Sequence, residues 1–197
     1  MDKKSDVIDP HTRTFQTTKG KLTYAELADL VAPKLLAIQK NIIEGAYSER
    51  TLDESLILDF HKMLLDEIMP ENAGQWRKVM VMVGNHIPPE PFEIPQLIRV
   101  YFDNLRTRLE FANTIELKIE LLAYAEGELL HIHPFIDFNG RVTRLLLSEI
   151  LVRLDFPQVD VSVQPETEEF HIYQNALASY DNGNLQPLIE FWGMRLS

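Results

Sequence analysis

Apolar residues recur at intervals of three and four along most of the chain, which is the spacing of one face of an α-helix. The first such stretch covers residues 23–44, contains Pro33 as an expected kink, and ends at Gly45. Further stretches of this kind lie at residues 52–69, 95–109, 114–131, 142–154, 166–180 and 185–196. The pattern predicts an all-α protein, a bundle of about seven to eight helices.

One segment departs from this spacing and has the composition of a β-strand. The run from Val79 to Val83 is rich in β-branched residues, and Gly84-Asn85 and a proline-rich stretch follow it. We therefore predict one short β-hairpin within residues 74–95.

The N-terminal residues 1–22 are polar, and Pro10 and Gly20 interrupt any periodicity, so a loosely held arm is expected there. The chain has 197 residues, of which 45% are hydrophobic, and this is enough for one hydrophobic core. We expect a single domain over residues 23–197.

Composition narrows the range of functions. The formal net charge of −11 disfavours a protein that grips nucleic acid, so any phosphate chemistry must come from a local site. The chain has no cysteine, which excludes disulfides and thiolate catalysis and indicates a cytoplasmic protein. No apolar run is long enough to cross a bilayer, and the polar residues 1–6 do not form a signal peptide.

The candidate chemistry lies in the segment from His131 to Arg144, between two strongly helical stretches. Pro134 and Gly140 interrupt the first helix, so the loop delivers its polar groups to the start of the second. The N-terminus of a helix has unpaired N–H groups and about half a positive charge, and Gly140 can adopt a positive φ, so phosphate binding is expected there.

Four side chains of this loop fit phosphate chemistry. Arg141 and Arg144 are three residues apart, so both guanidinium groups can lie on one helix face and hold phosphates. The carboxylate of Asp137 suits Mg²⁺ that bridges phosphate oxygens. His133 can take a proton from an attacking hydroxyl.

Each of these residues has an ordinary structural explanation when taken alone, and only their clustering within 12 residues predicts one site. A zinc site built on His131 and His133 is disfavoured, because Pro134 follows at once and no third ligand has a suitable spacing.

The segment His133-Pro-Phe-Ile-Asp-Phe-Asn-Gly-Arg-Val-Thr-Arg144 resembles the signature of the Fic family, His-Pro-Phe-x-Asp/Glu-Gly-Asn-Gly-Arg-x-x-Arg, and departs from its fixed positions only at Phe138. Residues 74–95 resemble the Fic flap, a hairpin that lies over the active site and holds the target segment by strand addition. The resemblance covers about residues 24–197, in the family's order.

The resemblance implies a Fic fold and a protein adenylyltransferase, which transfers AMP from ATP to a Tyr, Thr or Ser hydroxyl of a target protein with Mg²⁺ as cofactor. His133 would be the general base, Phe135 a core anchor and Asp137 the Mg²⁺ ligand. The implied nucleotide-binding residues are Phe138, Asn139, Gly140, Arg141, Arg144, Gln174 and Asp181. The flap residues Val81, Met82 and Val83 would bind the target.

Phe138 stands where the family usually has glycine, and a bulky residue with positive φ is strained by about 1–2 kcal/mol. Three outcomes remain open. The ring points outward and the enzyme works, it changes the diphosphate donor, or it leaves a weakened module that only binds. Removal of AMP from a target is a further variant of the same fold.

Glu44-Gly45 resembles the Glu-Gly of the Fic inhibitory helix, here residues 23–45, in which the glutamate pairs with the second arginine of the motif. This predicts autoinhibition through Glu44 and Arg144. Lys40, four residues before Glu44, offers an alternative partner along the helix. The sequence leaves the oligomeric state open, a homo-oligomer included.

Overall fold

The computed structural model describes residues 14–157 and 159–196. These residues form seven helices and one antiparallel hairpin, which confirms the all-α prediction. The elements in chain order are β1 (Thr14–Thr17), β2 (Gly20–Thr23), α1 (Tyr24–Ile43), α2 (Glu54–Leu65), α3 (Ile94–Phe111), α4 (Ile115–Ile132), α5 (Asn139–Arg153), α6 (Glu168–Asp181) and α7 (Gln186–Arg195).

The hairpin lies in the segment for which the sequence predicted a loosely held arm, so that part of the prediction is wrong. Phe15 on β1 is buried in the core, and Gly20 adopts a φ of 96° where β2 begins. The backbone N–H of Thr18 donates to the carbonyl of Ile68 at 2.9 Å, which fixes the turn to the segment after α2. The burial of Phe15 holds this segment against the core despite its polar composition. Residues 1–13 of the expected arm lie outside the described residues.

The predicted hairpin at residues 74–95, which we call the flap, has no regular secondary structure over most of its length. It contains one isolated antiparallel bridge, between Val83 and His86, around the turn Gly84-Asn85. Three prolines, at positions 88, 89 and 91, follow and have no N–H group to donate to a second strand. A longer hairpin therefore does not form here.

Polar caps define where the helices begin. Thr23 and Glu26 form a reciprocal capping box at the start of α1, and Thr114 and Thr167 cap α4 and α6 through their hydroxyl groups. None of the described helices has both the length and the apolar composition needed to cross a membrane.

Helices α4 and α5 form the centre of the bundle. Residues Leu145 to Leu151 of α5 are buried on every side. The buried carboxylate of Glu126 on α4 accepts hydrogen bonds from the Tyr173 hydroxyl at 2.6 Å and from Trp192 Nε1 at 2.8 Å. Because these partners belong to α6 and α7, Glu126 holds three helices together, and burial raises the pKa of its carboxyl.

Gly127 sets the distance between α4 and α6, and we predict that Gly127→Ala destabilises the protein. A Cβ at this position would lie 2.5 Å from Cδ2 of Tyr180, so the tyrosine ring must move. Overpacking of this kind costs about 1–3 kcal/mol. Urea denaturation of both proteins measures the difference in the free energy of unfolding.

The matched control is Gly193→Ala in α7, because a Cβ there has no atom within 4 Å. Alanine favours a helix over glycine by about 1 kcal/mol, so this variant should be as stable as the wild type or more stable. Equal stability of the two variants would contradict the proposed contact between Gly127 and Tyr180.

Candidate active site

The loop between α4 and α5 is short and is held in a strained conformation. His133, the residue after α4, has a φ of 49°, and Phe138, the residue before α5, has a φ of 65°. Two residues other than glycine are therefore left-handed. The side chain of Asn139 closes the loop, because its Oδ1 accepts the N–H of Phe135 at 2.9 Å and its Nδ2 donates to the carbonyl of Phe135 at 2.8 Å. Strain of this kind persists only where the surroundings fix it, and it is common at active sites.

Arg77 attaches the flap to this loop. Its buried guanidinium donates to four carbonyl oxygens, and its backbone N–H donates to a fifth, that of Pro134, at 2.8 Å. The four acceptors of the side chain are the carbonyl oxygens of His133 at 2.8 Å, Val79 at 3.1 Å, Pro89 at 2.5 Å and Ile132 at 3.4 Å. Because α4 ends at Ile132, the positive charge also lies at the negative end of the helix dipole.

His61 on α2 packs against the loop between α4 and α5. Its ring is fully buried and stacks on Phe135, with 4.0 Å between the centroids. The N–H of Gly74 donates to His61 Nδ1 at 3.0 Å, so the hydrogen is on Nε2, which lies 3.3 Å from the carbonyl oxygen of Asp137. Burial lowers the pKa of His61 to about 4, and the ring is neutral at pH 7.

A cavity of about 720 Å³ opens beside His133, between the flap and α6. The structure brings four of the predicted site residues to its wall, namely His133, Gln174, Asp181 and Val83. His86 and His131 also line it, and the sequence analysis assigned neither to this site. The Nδ1 atom of His133 lies 3.3 Å from the carbonyl oxygen of Leu130, an acceptor, which makes Nε2 the basic nitrogen.

The predicted phosphate-binding residues lie on the loop and on the first turns of α5, outside the residues that line the cavity. A Cβ on Gly140 would lie 3.4 Å from Arg144 Nη1, so the glycine leaves room for that guanidinium. Burial lowers the pKa of Arg144, and the charge of Arg141 contributes in the same direction. The two arginines are therefore close enough to influence one another.

Arg141 is packed between two aromatic rings. Its Cζ lies 4.4 Å from the ring centroid of Phe138 and 5.2 Å from that of Tyr24, and its Nη2 donates to the Tyr24 hydroxyl at 3.3 Å. Phe138 itself is buried, with 4% of its surface exposed. The ring therefore packs against one face of the first arginine of the motif, and Phe138 is not among the residues that line the cavity.

Two other predicted residues have roles within the loop. Both amide atoms of Asn139 are hydrogen-bonded to the backbone of Phe135, so its side chain acts within the loop. Asp137 is half-buried and accepts the N–H of Phe138 through Oδ1 at 2.8 Å, which fixes the orientation of its carboxylate, and Oδ2 is buried.

The predicted contact between Glu44 and Arg144 is wrong. The carboxylate of Glu44 lies 3.7 Å from Lys40 Nζ, the alternative partner. Tyr24, which contacts Arg141, is at the opposite end of the 20-residue helix α1, about 30 Å away along the helix axis. No ion pair between Glu44 and Arg144 occurs in residues 14–157.

Glu44-Gly45 instead ends α1 with a Schellman motif. Gly45 has a φ of 78° and donates to the carbonyl of Ile42 at 2.9 Å, and Ala46 donates to the carbonyl of Asn41 at 2.9 Å. The Glu-Gly pair is therefore an ordinary helix end, and the inhibitory helix predicted at residues 23–45 has no contact through Glu44 with the motif.

Sequence reasoning also missed His61, Arg77 and Tyr24. His61 falls among the apolar positions of the second helical stretch, and Arg77 follows Trp76 at the start of the strand-like run. A polar residue at a position that the periodicity predicts to be buried was the available signal for His61. No signal in the sequence indicates that Tyr24 would contact Arg141.

Known proteins are similar to this chain in sequence and in fold. The model of the Fic/DOC family matches residues 51–151. A relative from Drosophila willistoni named Protein adenylyltransferase Fic is 33% identical over 135 residues, which are 68% of this chain and 26% of that protein. The chain thus spans about a quarter of the length of the curated relatives that it matches.

Two solved structures show the same fold. Fic-1 from C. elegans superposes with a TM-score of 0.68 at 24% identity, over 86% of this chain and 48% of that chain. The BepC protein of Bartonella tribocorum, solved with bound AMPPNP, superposes with a TM-score of 0.70 at 18% identity, over 92% of this chain and 91% of that chain.

We predict that His61 makes stability depend on pH. Its pKa of about 4 in the folded protein is below the ordinary value of 6.5, so the unfolded chain binds more protons between these pH values. This contribution to the free energy of unfolding is complete above pH 6.5 and falls by about 3 kcal/mol as the pH decreases to 4. Urea denaturation at several pH values measures the change.

His61→Gln provides the comparison, because glutamine keeps a donor for the carbonyl of Asp137 and does not titrate. The stability of this variant should decrease less than that of the wild type between pH 7 and pH 4. His171→Gln is the matched control at an exposed histidine, and it should show the wild-type pH dependence. Parallel pH profiles of the wild type and His61→Gln would rule out this role for His61.

We predict that Arg77→Met frees the flap from the active-site loop. Methionine fills part of the volume but leaves the carbonyl oxygens of His133 and Pro89 without their donors. Each buried carbonyl oxygen without a donor lowers the free energy of unfolding by about 1–3 kcal/mol. The variant should unfold at lower urea concentration and be cut faster by protease within the flap. The control is Arg99→Met on the exposed face of α3, and an equal effect there would show that the carbonyl contacts are not the cause.

Proposed function

We propose that this chain, which belongs to the Fic/DOC family, transfers the AMP moiety of ATP to a hydroxyl group of a target protein. The observation that carries the proposal is the loop between α4 and α5. It holds the imidazole of His133 beside a nucleotide-sized cavity and leads into a helix with arginines at its third and sixth residues, Arg141 and Arg144. The curated relatives named adenylyltransferase support the same reaction for the part of their length that this chain covers.

In the proposed reaction the target hydroxyl oxygen attacks the α-phosphorus of ATP, and the bond between the α-phosphorus and the bridging oxygen of pyrophosphate breaks. The proton of the hydroxyl goes to Nε2 of His133, because Nδ1 faces the carbonyl of Leu130. Arg77 fixes the backbone of His133 and so acts as a positioning residue. The protein mainly orients the reactants and offsets charge.

The first turn of α5 supplies the phosphate site in this proposal. Phe138 O accepts the N–H groups of Arg141 and Val142, both at 3.0 Å, which leaves the preceding amides at the helix N-terminus for phosphate oxygens. Arg141 and Arg144 add two positive charges on the same side. Arg141 has to leave the ring of Phe138, or bind phosphate from the stacked position.

Asp137 is the residue that would hold Mg²⁺. The residue is half-buried and belongs to the same loop; its Oδ1 accepts the N–H of Phe138 at 2.8 Å, and its Oδ2 is buried. A single carboxylate with phosphate oxygens is the usual protein share of a magnesium site, so the residues present fit the ion. Bound Mg²⁺ would offset the charge of the leaving pyrophosphate.

The cavity would hold the nucleoside. Its volume of about 720 Å³ lies in the range of small-molecule sites, and Gln174 and Asp181 supply polar groups at its wall. BepC, which has this fold, was solved with AMPPNP, an ATP analogue.

The flap would bind the target by strand addition. The backbone of Met80, Val81 and Met82 makes no hydrogen bond to any residue that the structure describes, and this segment has no regular secondary structure. Met82 and Val83 expose 66% and 40% of their surface. An extended peptide could pair with these backbone groups while its side chains cover the apolar residues.

Phe138 favours a second candidate, a module that binds nucleotide and target without transfer. Its ring covers a face of Arg141 that phosphate would otherwise approach. This alternative differs from the transferase in one measurable respect, namely that nucleotide binds but no label reaches protein.

The experiment is incubation of the purified chain with ATP labelled on the α-phosphate and Mg²⁺, followed by detection of label on protein. Self-modification or modification of proteins in a cell extract is expected for the wild type. His133→Ala should reduce the rate by at least about a hundredfold, since general bases contribute about 10²–10⁴-fold. Glu44→Gly should leave the rate unchanged, because Glu44 pairs with Lys40 far from the motif.

Three outcomes separate the candidates. Label on protein that requires His133 supports transfer. Binding of ATP without label, with label restored in Phe138→Gly, identifies the phenylalanine ring as the block and supports the binding module. Absence of ATP binding in both proteins refutes the proposed nucleotide site.

A further inference from the structure

Three side chains from separate elements meet at one wall of the cavity, away from the arginines. His86 lies in the turn of the flap, His131 in the last turn of α4, and Asp181 at the end of α6. Each offers one ligand atom, and these atoms all lie within 4.8 Å of one another. The sequence analysis disfavoured zinc because no third ligand had a suitable spacing, but the fold supplies two partners for His131 from distant positions.

The hydrogen bonds of His86 orient its ring as in a metal ligand. Its Nε2 lies 2.8 Å from the carbonyl oxygen of His131, which can only accept, so Nε2 carries the hydrogen. The lone pair of a neutral His86 is therefore on Nδ1, which faces Asp181 Oδ1 at 3.4 Å. Histidines that bind metal usually donate their other N–H group to a carbonyl or a carboxylate.

One of the two distances to Asp181 fits a shared metal ion, and the other is that of a hydrogen bond. Two ligands of a tetrahedral zinc, each about 2.05 Å from the ion, are about 3.3 Å apart. The separation between His86 Nδ1 and Asp181 Oδ1 is 3.4 Å, and a neutral His86 has no hydrogen on that nitrogen. His131 Nδ1 lies closer to Asp181 Oδ1, at 2.8 Å, and would move by about half an ångström to share an ion.

We propose that His86, His131 and Asp181 bind one divalent transition-metal ion, with Zn²⁺ as the best match. Zinc takes imidazole nitrogens together with a carboxylate oxygen, whereas Mg²⁺ prefers oxygen ligands alone, so the two histidines favour zinc. On binding, the proton that His131 Nδ1 donates to Asp181 passes to solvent. The three side chains are partly exposed, at 13%, 32% and 24%, so the ion can enter from the cavity and keep a fourth position open.

The ion would connect the flap to the helical bundle at a second point. Arg77 holds the base of the flap, whereas His86 lies at its tip. A metal that joins His86 to α4 and α6 would fix the tip and the cavity wall together. This inference does not depend on the transfer reaction, because the three ligands bind the ion without ATP and without His133 or Asp137. It gives Asp181, proposed above as a polar group at the nucleoside wall, a second role as a metal ligand.

The test is a titration of the metal-stripped chain with Zn²⁺ by calorimetry and with Co²⁺ by visible absorption, which reports tetrahedral coordination. We expect one ion per chain. His86→Ala, His131→Ala and Asp181→Asn should each weaken binding by at least about tenfold, as loss of a ligand does at such sites. The melting temperature of the wild type should rise by about 5 °C or more at a hundredfold excess of Zn²⁺ over Kd.

Two histidine variants serve as controls. His171→Ala removes an exposed histidine on α6, and His133→Ala removes the other histidine at the cavity wall. Both should bind Zn²⁺ within about twofold of the wild type. No binding by the wild type, or equal affinity in His86→Ala, would overturn the proposal and leave a hydrogen-bonded cluster without metal. Equal loss in His133→Ala would overturn it in favour of an ion at the transfer site.

Discussion

The geometry of the site depends on the hydrogen bonds that the guanidinium of Arg77 donates to backbone carbonyl oxygens. It satisfies the carbonyl oxygens at the end of α4, where a helix leaves acceptors without partners, and at the same time binds the carbonyl oxygens of Val79 and Pro89 in the flap. Charge-assisted hydrogen bonds are stronger than neutral ones, and five donors in a rigid plane can serve several acceptors at once. One side chain therefore sets both the position of His133 and the start of the flap.

The strained backbone of the loop is stable because several contacts hold it in the same conformation. Left-handed conformations at His133 and Phe138 cost about 1–2 kcal/mol each. The amide of Asn139 and the buried ring of His61 hold the two sides of the loop, and Phe135 fills the space between them. Each of these hydrogen bonds contributes about 1 kcal/mol, so together they offset the strain. The conformation is thus specified by its surroundings and not by the residues that adopt it.

The sequence predicted the elements that local signals define. Apolar periodicity located all seven helices of the described residues, and α5 began three residues earlier than its periodicity suggested, because Phe138 O accepts the first N–H groups. The motif located the loop because its residues are contiguous. Contacts between distant segments had no such signal. Phe15 fixes the hairpin to the core and His86 lies beside Asp181, whereas Glu44, predicted to contact Arg144, pairs with Lys40 at the end of α1.

Phe138 shows how a departure from the motif can be stable. A left-handed phenylalanine costs about 1–2 kcal/mol relative to glycine, but burial of its ring gains about 2–3 kcal/mol, and the cation–π contact with Arg141 adds to this. The free energy of folding therefore does not disfavour the substitution. Its structural consequence concerns Arg141, which is held between the rings of Tyr24 and Phe138. If Arg141 binds phosphate as proposed, these stabilising contacts compete with that binding.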